Sequence, residues 1–227
     1  METPIPHGPG SRVQYDQQLH ELQQDVLRMS SLVEQMLHKA MLAYIRREPG
    51  LVAEVMALED SVDKYNLDIE TECLHLLALQ NPMARDLRII AAALKIITDV
   101  ERIGDYCIDI AKMASRMADK SPVHPPADLS NMADIVSLML RETLQAFVSR
   151  DLQLVHDMID HDDAVDRYNR LIITEMVEHI KSDSSIAEQA IAHIMVARYL
   201  ERIADHVTNV GERVFYLETG EHKELHV

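Results

Sequence analysis

The sequence predicts an all-α protein made of two tandem, similar three-helix bundles, six long antiparallel helices in all. Three observations lead there. The pentapeptide ERIGD at 101–105 returns as ERIAD at 201–205, a spacing of 100, which marks a duplicated unit. Apolar residues recur at threes and fours over stretches much longer than a strand. The core must also be aliphatic, because 13 Met, two Phe and no Trp leave Leu, Ile, Val, Ala and Met to fill it. Such a set suits interdigitating helices better than sheets.

Residues 1–11, with three Pro and two Gly, read as a disordered tail. From about Val13 to Arg47 the residues Leu19, Leu22, Val26, Met29, Val33, Met36, Leu37, Ala40, Met41 and Tyr44 line one face of a first helix, which Pro49 and Gly50 stop. The second helix, about 51–79, turns Val52, Val55, Met56, Leu58, Val62, Tyr65, Ile69, Cys73, Leu76 and Leu77 inward. Asn81 and Pro82 read as an N-cap and first helical residue of a third helix, which carries ERIGD and runs to about Ala118. These helices make a first unit over 12–118, and the Pro-containing stretch 119–127 is a linker. A second unit over 128–220 holds helices at about 129–149 and 151–181, the latter capped by Asp151, and a sixth opened by a Ser185/Glu188 capping box and ending near Gly220. Residues 221–227 are a tail.

The halves align outside the ERI motif as well. VDKYN at 62–66 matches VDRYN at 165–169, a spacing of 103 that falls to 100 at ERIGD. The second half has therefore lost three residues near its second interhelical turn, where deletions are tolerated.

Charge and cysteine content narrow the function. A formal net charge of −16 excludes nucleic acid and anionic membrane as partners drawn by the overall field. Only Cys73 and Cys107 occur, both inside helical patterns, as expected of reduced thiols in a cytoplasmic protein. The apolar run IIAAAL at 89–94 is far shorter than the ~20 residues of a spanning helix, and the first residues carry no export signal, so direct membrane insertion is not expected.

Glu101 and Asp105 stand one helical turn apart, as do Glu201 and Asp205. Leu94, Ile97 and Ile108 project within roughly 40° of Glu101, which places the acidic pair inside the apolar stripe. The second helix of each half repeats the Glu/Asp-x-x-x-Asp pattern in Glu59/Asp63 and Asp162/Asp166, with Asp60 and Asp163 beside them. Facing carboxylates repel when dry, and a cation turns that repulsion into coordination. Oxygen-only donors suit Mn, Fe, Mg or Ca better than the Cys/His sites typical of structural Zn. Neutralisation by Arg102 and Arg202 is the competing reading, but each points about 100° away from its adjacent Glu, so self-pairing looks awkward. His156, His161 and His206 read as exposed or structural, and the methionines as core filler. Arg85, Asp86 and Arg88 open the third helix, where Asp86 suits the macrodipole and the arginines suit an anion or a partner.

At these residues the chain resembles the PhoU family of cytoplasmic regulators of bacterial phosphate uptake. The likeness covers about 12–220 and rests on the duplicated units, VEQML at 33–37, NPMARDLR at 81–88 and the paired ERIGD and ERIAD. It implies a six-helix homodimer that negatively regulates the phosphate-starvation response, linking the ATPase subunit of the phosphate ABC transporter to a sensor histidine kinase. It further implies divalent or trivalent metal ions (Mn, Fe, Mg or Zn) at Glu59, Asp63, Glu101, Asp105, Asp162, Asp166, Glu201 and Asp205, a set that Asp60, Asp109, Asp163 and Asn209 extend. Asn209 where the first half has Asp109 makes the two sites unequal. The alternatives are a metal-dependent scaffold and a ferritin-like di-metal oxidase. The oxidase needs Glu-x-x-His on two helices, whereas only Glu72 and His75 show that spacing, against Glu175 and Glu178 in the other half. No nucleophile–base arrangement or phosphate-cradling glycine loop is evident, so a protein without catalysis is expected.

Overall fold

In the computed structural model, which describes residues 9–79, 82–120 and 127–224, six long helices follow one another: α1 (Pro9–Arg46), α2 (Gly50–Leu79), α3 (Ala84–Met117), α4 (Ala127–Ser149), α5 (Leu152–Ser182) and α6 (Ala187–Thr219). The all-α, two-repeat reading is correct. The two bundles share one core, however. α1, α3, α6 and α4 close a ring, with α2 lying outside against α1 and α3 and α5 outside against α4 and α6. α3 and α6, which carry the two ERI motifs, run antiparallel at the centre: Asp99 meets His206, and Tyr106 meets Tyr199. Ile103, Ile108, Leu200, Ile203 and Val207 are buried there, which is how an apolar stripe flanked by acids positions them.

The helix ends hold most of the departures from expectation. α1 begins at Pro9, inside the stretch read as a tail, and Arg12 ties this end to α3 by an ion pair with buried Asp86 at 2.9 Å. The first turn is closed by Arg47 in the left-handed region (φ 56°), with Glu48 N–H donating to the Ala43 carbonyl. The aligned Arg150 repeats the device (φ 60°), its N–H donating to Ala146. Both arginines then reach the end of their own unit's third helix, Arg47 to the Lys120 carbonyl at 2.6 Å and Arg150 to Glu218 at 3.4 Å. Nothing in the local sequence announces them, since glycine is the residue expected at such a position.

α3 begins at Ala84 rather than Pro82. Met83 is its N-cap and its N–H donates to Asp86 Oδ2; Asn81 lies outside the described residues. In the second half Asp151 caps α5 as expected, accepting from Gln153 N–H. The Ser185/Glu188 capping box is replaced. Asp183 accepts from Ser185 N–H and opens a 3₁₀ turn (Ser184–Ile186), while Glu188 pairs with Lys120. The shortened turn is the reason: the single residue Asp183 separates α5 from the 3₁₀ turn, and only a tight turn fits. Gly220 ends α6 in the left-handed region (φ 76°), and residues 221–224 follow with His222 stacked on Tyr216. Leu77, read as inward, is partly exposed. Among the described residues no helix is long and apolar enough to cross a membrane.

Gly104 separates the ERI pairs in one respect, since its counterpart is Ala204. A Cβ at 104 would meet Met36, Val33 and Val62 at 3.7–3.8 Å, ordinary contact. Gly104→Ala is therefore expected to stabilise the chain by up to about 1 kcal/mol through helix propensity, read as a raised urea midpoint at unchanged slope.

Candidate acidic site on the two repeats

Each half carries its motifs on its second and third helices, which pack side by side. In the first half Glu59, Glu101 and Asp105 are half-buried and Asp63 and Asp60 exposed; in the second, Glu201 is buried, Asp162 and Asp205 half-buried, and Asp166 and Asp163 exposed. The partial burial follows from geometry. An acid one turn from the next within a stripe that packs a neighbouring helix can reach water only at the groove between the two helices.

Burial raises the carboxyl pKa of Glu59, Glu101 and Glu201 above the ordinary range, and like charges add to it: Asp63 and Asp105 for Glu59, Asp105 and Asp63 for Glu101, Asp205 and Asp166 for Glu201. Those neighbours span two helices, so the acids of each half share one electrostatic field as the sequence predicts. They are not drawn to a point. Among the described residues no group of three or more His, Cys, Asp or Glu is placed to hold a metal ion. The donors suit a hard cation in kind and charge, and side-chain movement would have to bring them together.

The reading of Arg102 and Arg202 requires correction. Arg102 bonds Asp105 at 3.0 Å, and Arg202 bonds Asp205 at 2.9 Å and approaches Glu201 at 3.5 Å. A residue three positions on lies on the adjoining face, and an arginine is long enough to lean there. Asn209 does not complete an acidic set. Its amide donates to Asp99 at 3.1 Å, beside His206 Nδ1 at 2.8 Å. Asp109, its counterpart, pairs with Lys112. His161 stands 3.2 Å from Glu142, and His156 packs edge-on against Phe215, both structural placements. Arg85 is exposed, whereas Arg88 is half-buried and its guanidinium lies against Gly220 at the end of α6, where it complements the helix dipole.

Two groups escaped sequence reasoning. Tyr44 and His193 form a buried hydrogen bond between the halves at 2.7 Å; burial, aided by Arg47, lowers His193 to about 4 and holds it neutral. Asp99 bridges α3 to α6. No repeat signal marks either, because the aligned partners differ: Phe147 and Ala93 for the first, Tyr199 for Asp99.

The raised carboxyls set a pH dependence. A glutamate whose native pKa exceeds its unfolded value penalises the fold when ionised, and that penalty disappears as pH falls from the native pKa towards the ordinary value. In chelator, the stability gained between about pH 7 and pH 5 is expected to be smaller in Glu59→Gln and Glu101→Gln than in the parent, as thermal melts at both pH values would show.

Two copies of a three-helix unit, each presenting acids from adjoining helices along one groove, define a tandem helical-repeat protein with paired acidic faces. The PhoU domain model matches residues 26–114 and 129–214, one match per half. The chain belongs to the PhoU domain family. It is 33% identical to the phosphate-specific transport system accessory protein PhoU homolog of Clostridium acetobutylicum, over 93% of this chain and 97% of that one. The Synechocystis homolog of the same name is 36% identical over 92% and 93%. Among solved structures, PhoU from Pseudomonas aeruginosa matches with a TM-score of 0.88 at 30% identity, covering 91% of this chain and all of that one. The phosphate transport system regulatory protein PhoU from Streptococcus pneumoniae gives 0.85 at 29% identity, over 92% and 99%.

Proposed function

We propose that this chain is a non-catalytic accessory regulator of phosphate transport. It holds the phosphate-starvation response down when phosphate is plentiful by coupling the ATPase subunit of the phosphate ABC transporter to a sensor histidine kinase, as a cytoplasmic homodimer. The observation that carries this reading is the family match across both repeats, together with relatives named as phosphate-specific transport accessory proteins over nearly their whole length. The α2–α3 turn suits a partner, since Met83 and Leu87 stand exposed around the exposed Arg85.

The acidic faces belong to the same proposal. Glu59, Asp63, Glu101 and Asp105, and in the second half Asp162, Asp166, Glu201 and Asp205, are the residues that would hold Mn, Fe or Mg; Zn is the less suited ion for oxygen donors. The metal would supply positive charge that relieves the mutual repulsion and ties second helix to third. An alkaline phosphatase reporter in a deletion strain grown with ample phosphate tests the regulatory role: constitutive expression restored to repression by the intact gene is expected, and normal repression would overturn it. Metal content of the purified chain, against Glu101→Ala and Glu201→Ala, tests the sites; equal content in all three would remove the assignment.

A further inference from the structure

We infer that the cavity between the end of α6 and the back-folded segment 221–224 is a binding site for inorganic phosphate, held by Arg213, Lys223 and His222 and selected over sulfate by Glu212 and Glu224. The site is a property of the chain itself and stands or falls apart from the regulatory role. Joined to that role, it would let the chain read free phosphate directly.

Local contacts fold the segment back. Gly220 turns the chain in the left-handed region, and the Thr219 hydroxyl accepts from Glu221 N–H at 3.1 Å. His222 then stacks on the Tyr216 ring, with centroids 4.3 Å apart, and the Lys223 ammonium lies 5.5 Å over the Phe215 ring. Phe215 is itself met edge-on by His156 of α5. Between this segment and the helix lies a cavity of about 490 Å³ lined by Glu212, Arg213, His222, Lys223 and Glu224, with room for a tetrahedral anion and part of its hydration shell.

The repeat does not account for this set. Glu212, Arg213, Phe215 and Tyr216 stand where the first half has Lys112, Met113, Ser115 and Arg116. Arg213 is half-buried, and among the described residues its Nε is shielded from water and has no hydrogen-bond acceptor. Neither Arg213 nor Lys223 has an ion pair among the described residues, although two carboxylates line the same cavity. A shielded guanidinium donor left unpaired costs stability, and an oxyanion supplies its acceptor. Arginine brings a planar fork of donors, lysine a point charge, and a neutral His222 one ring N–H.

The carboxylates decide which oxyanion is taken. Inorganic phosphate keeps at least one O–H at neutral pH, and that donor can pair with a carboxylate; sulfate has none and meets only repulsion there. A purely cationic lining would accept both.

The test is isothermal titration calorimetry of the full chain with inorganic phosphate in chelator at neutral pH, checked by equilibrium dialysis and repeated with sulfate. Chelator removes metal-held phosphate from the signal. The parent is expected to take one phosphate and to bind sulfate at least about tenfold more weakly, the worth of one hydrogen bond to a charged group. Arg213→Gln and Lys223→Gln should each weaken phosphate by roughly tenfold or more. Arg46→Gln removes an exposed cation at the opposite end of the bundle, where α1 meets the start of α6, and should leave binding unchanged. Glu212→Gln/Glu224→Gln should narrow the preference over sulfate, with circular dichroism melts confirming that each variant is folded. No phosphate bound by the parent, equal affinity for phosphate and sulfate, or phosphate binding kept in both Arg213→Gln and Lys223→Gln would overturn the site. Phosphate bound by a chain that fails to repress the starvation reporter would leave the site standing and remove the regulatory role alone.

Discussion

Ile103→Ala and Ile203→Ala are each expected to destabilise the chain by about 2–5 kcal/mol, the cost of removing a buried aliphatic side chain and leaving its cavity. Both isoleucines are fully buried in the α3–α6 layer, next to the acids that name the motif. The fully buried face of α3 is crossed by α1 on one side and α6 on the other, so the gap cannot be closed by the shift of one helix. Because both halves share that layer, unfolding should stay a single transition in both variants, followed by far-ultraviolet circular dichroism in urea. Loss of one half at a lower midpoint would instead mean that the repeats fold as separate units. A cost below about 1 kcal/mol would mean that the layer relaxes around the missing atoms.

The contrast between Ile103 and its neighbours shows what the sequence could reveal. Periodicity found the helices and the buried positions because burial of an apolar stripe is a local property, repeated every turn. Asp151 was legible because a cap is decided within three residues. Arg47 and Arg150 were not, since a left-handed arginine is stabilised by a helix end that lies about 70 residues further along the chain. The acidic motifs were recognisable as pairs on adjoining helices, and α2 packs on α3 and α5 on α6. What the azimuth argument missed is reach. An arginine pointing away from its adjacent glutamate at the backbone still folds onto the acid three residues on, and that flexibility decides how much negative charge is left exposed.

Asp99 carries the other large prediction, because it joins the two halves through a polar contact that no repeat demands. Its Oδ1 accepts from His206 and Asn209 on α6, and its side chain is only 16% exposed. Asp99→Ala leaves two part-buried donors, on His206 and Asn209, without their acceptor, at an expected cost of about 2 kcal/mol. Asp99→Asn keeps one acceptor and should recover part of it. Asn209→Asp is the sharper variant, since it restores the residue that the first half has at 109 and would complete the acidic pattern in the second. Here it would set a second carboxylate against Asp99 at about the present 3.1 Å, so it is expected to destabilise rather than to improve the face, by about 1–2 kcal/mol. Raised salt should reduce that loss, since charge repulsion is screened and a packing defect is not. If Asn209→Asp instead raised stability in chelator, the expected repulsion between the two carboxylates would be absent and this account of the asparagine would fail. A loss that salt reduces would explain the asparagine by its partner across the central layer, to which its amide donates where a carboxylate could only repel.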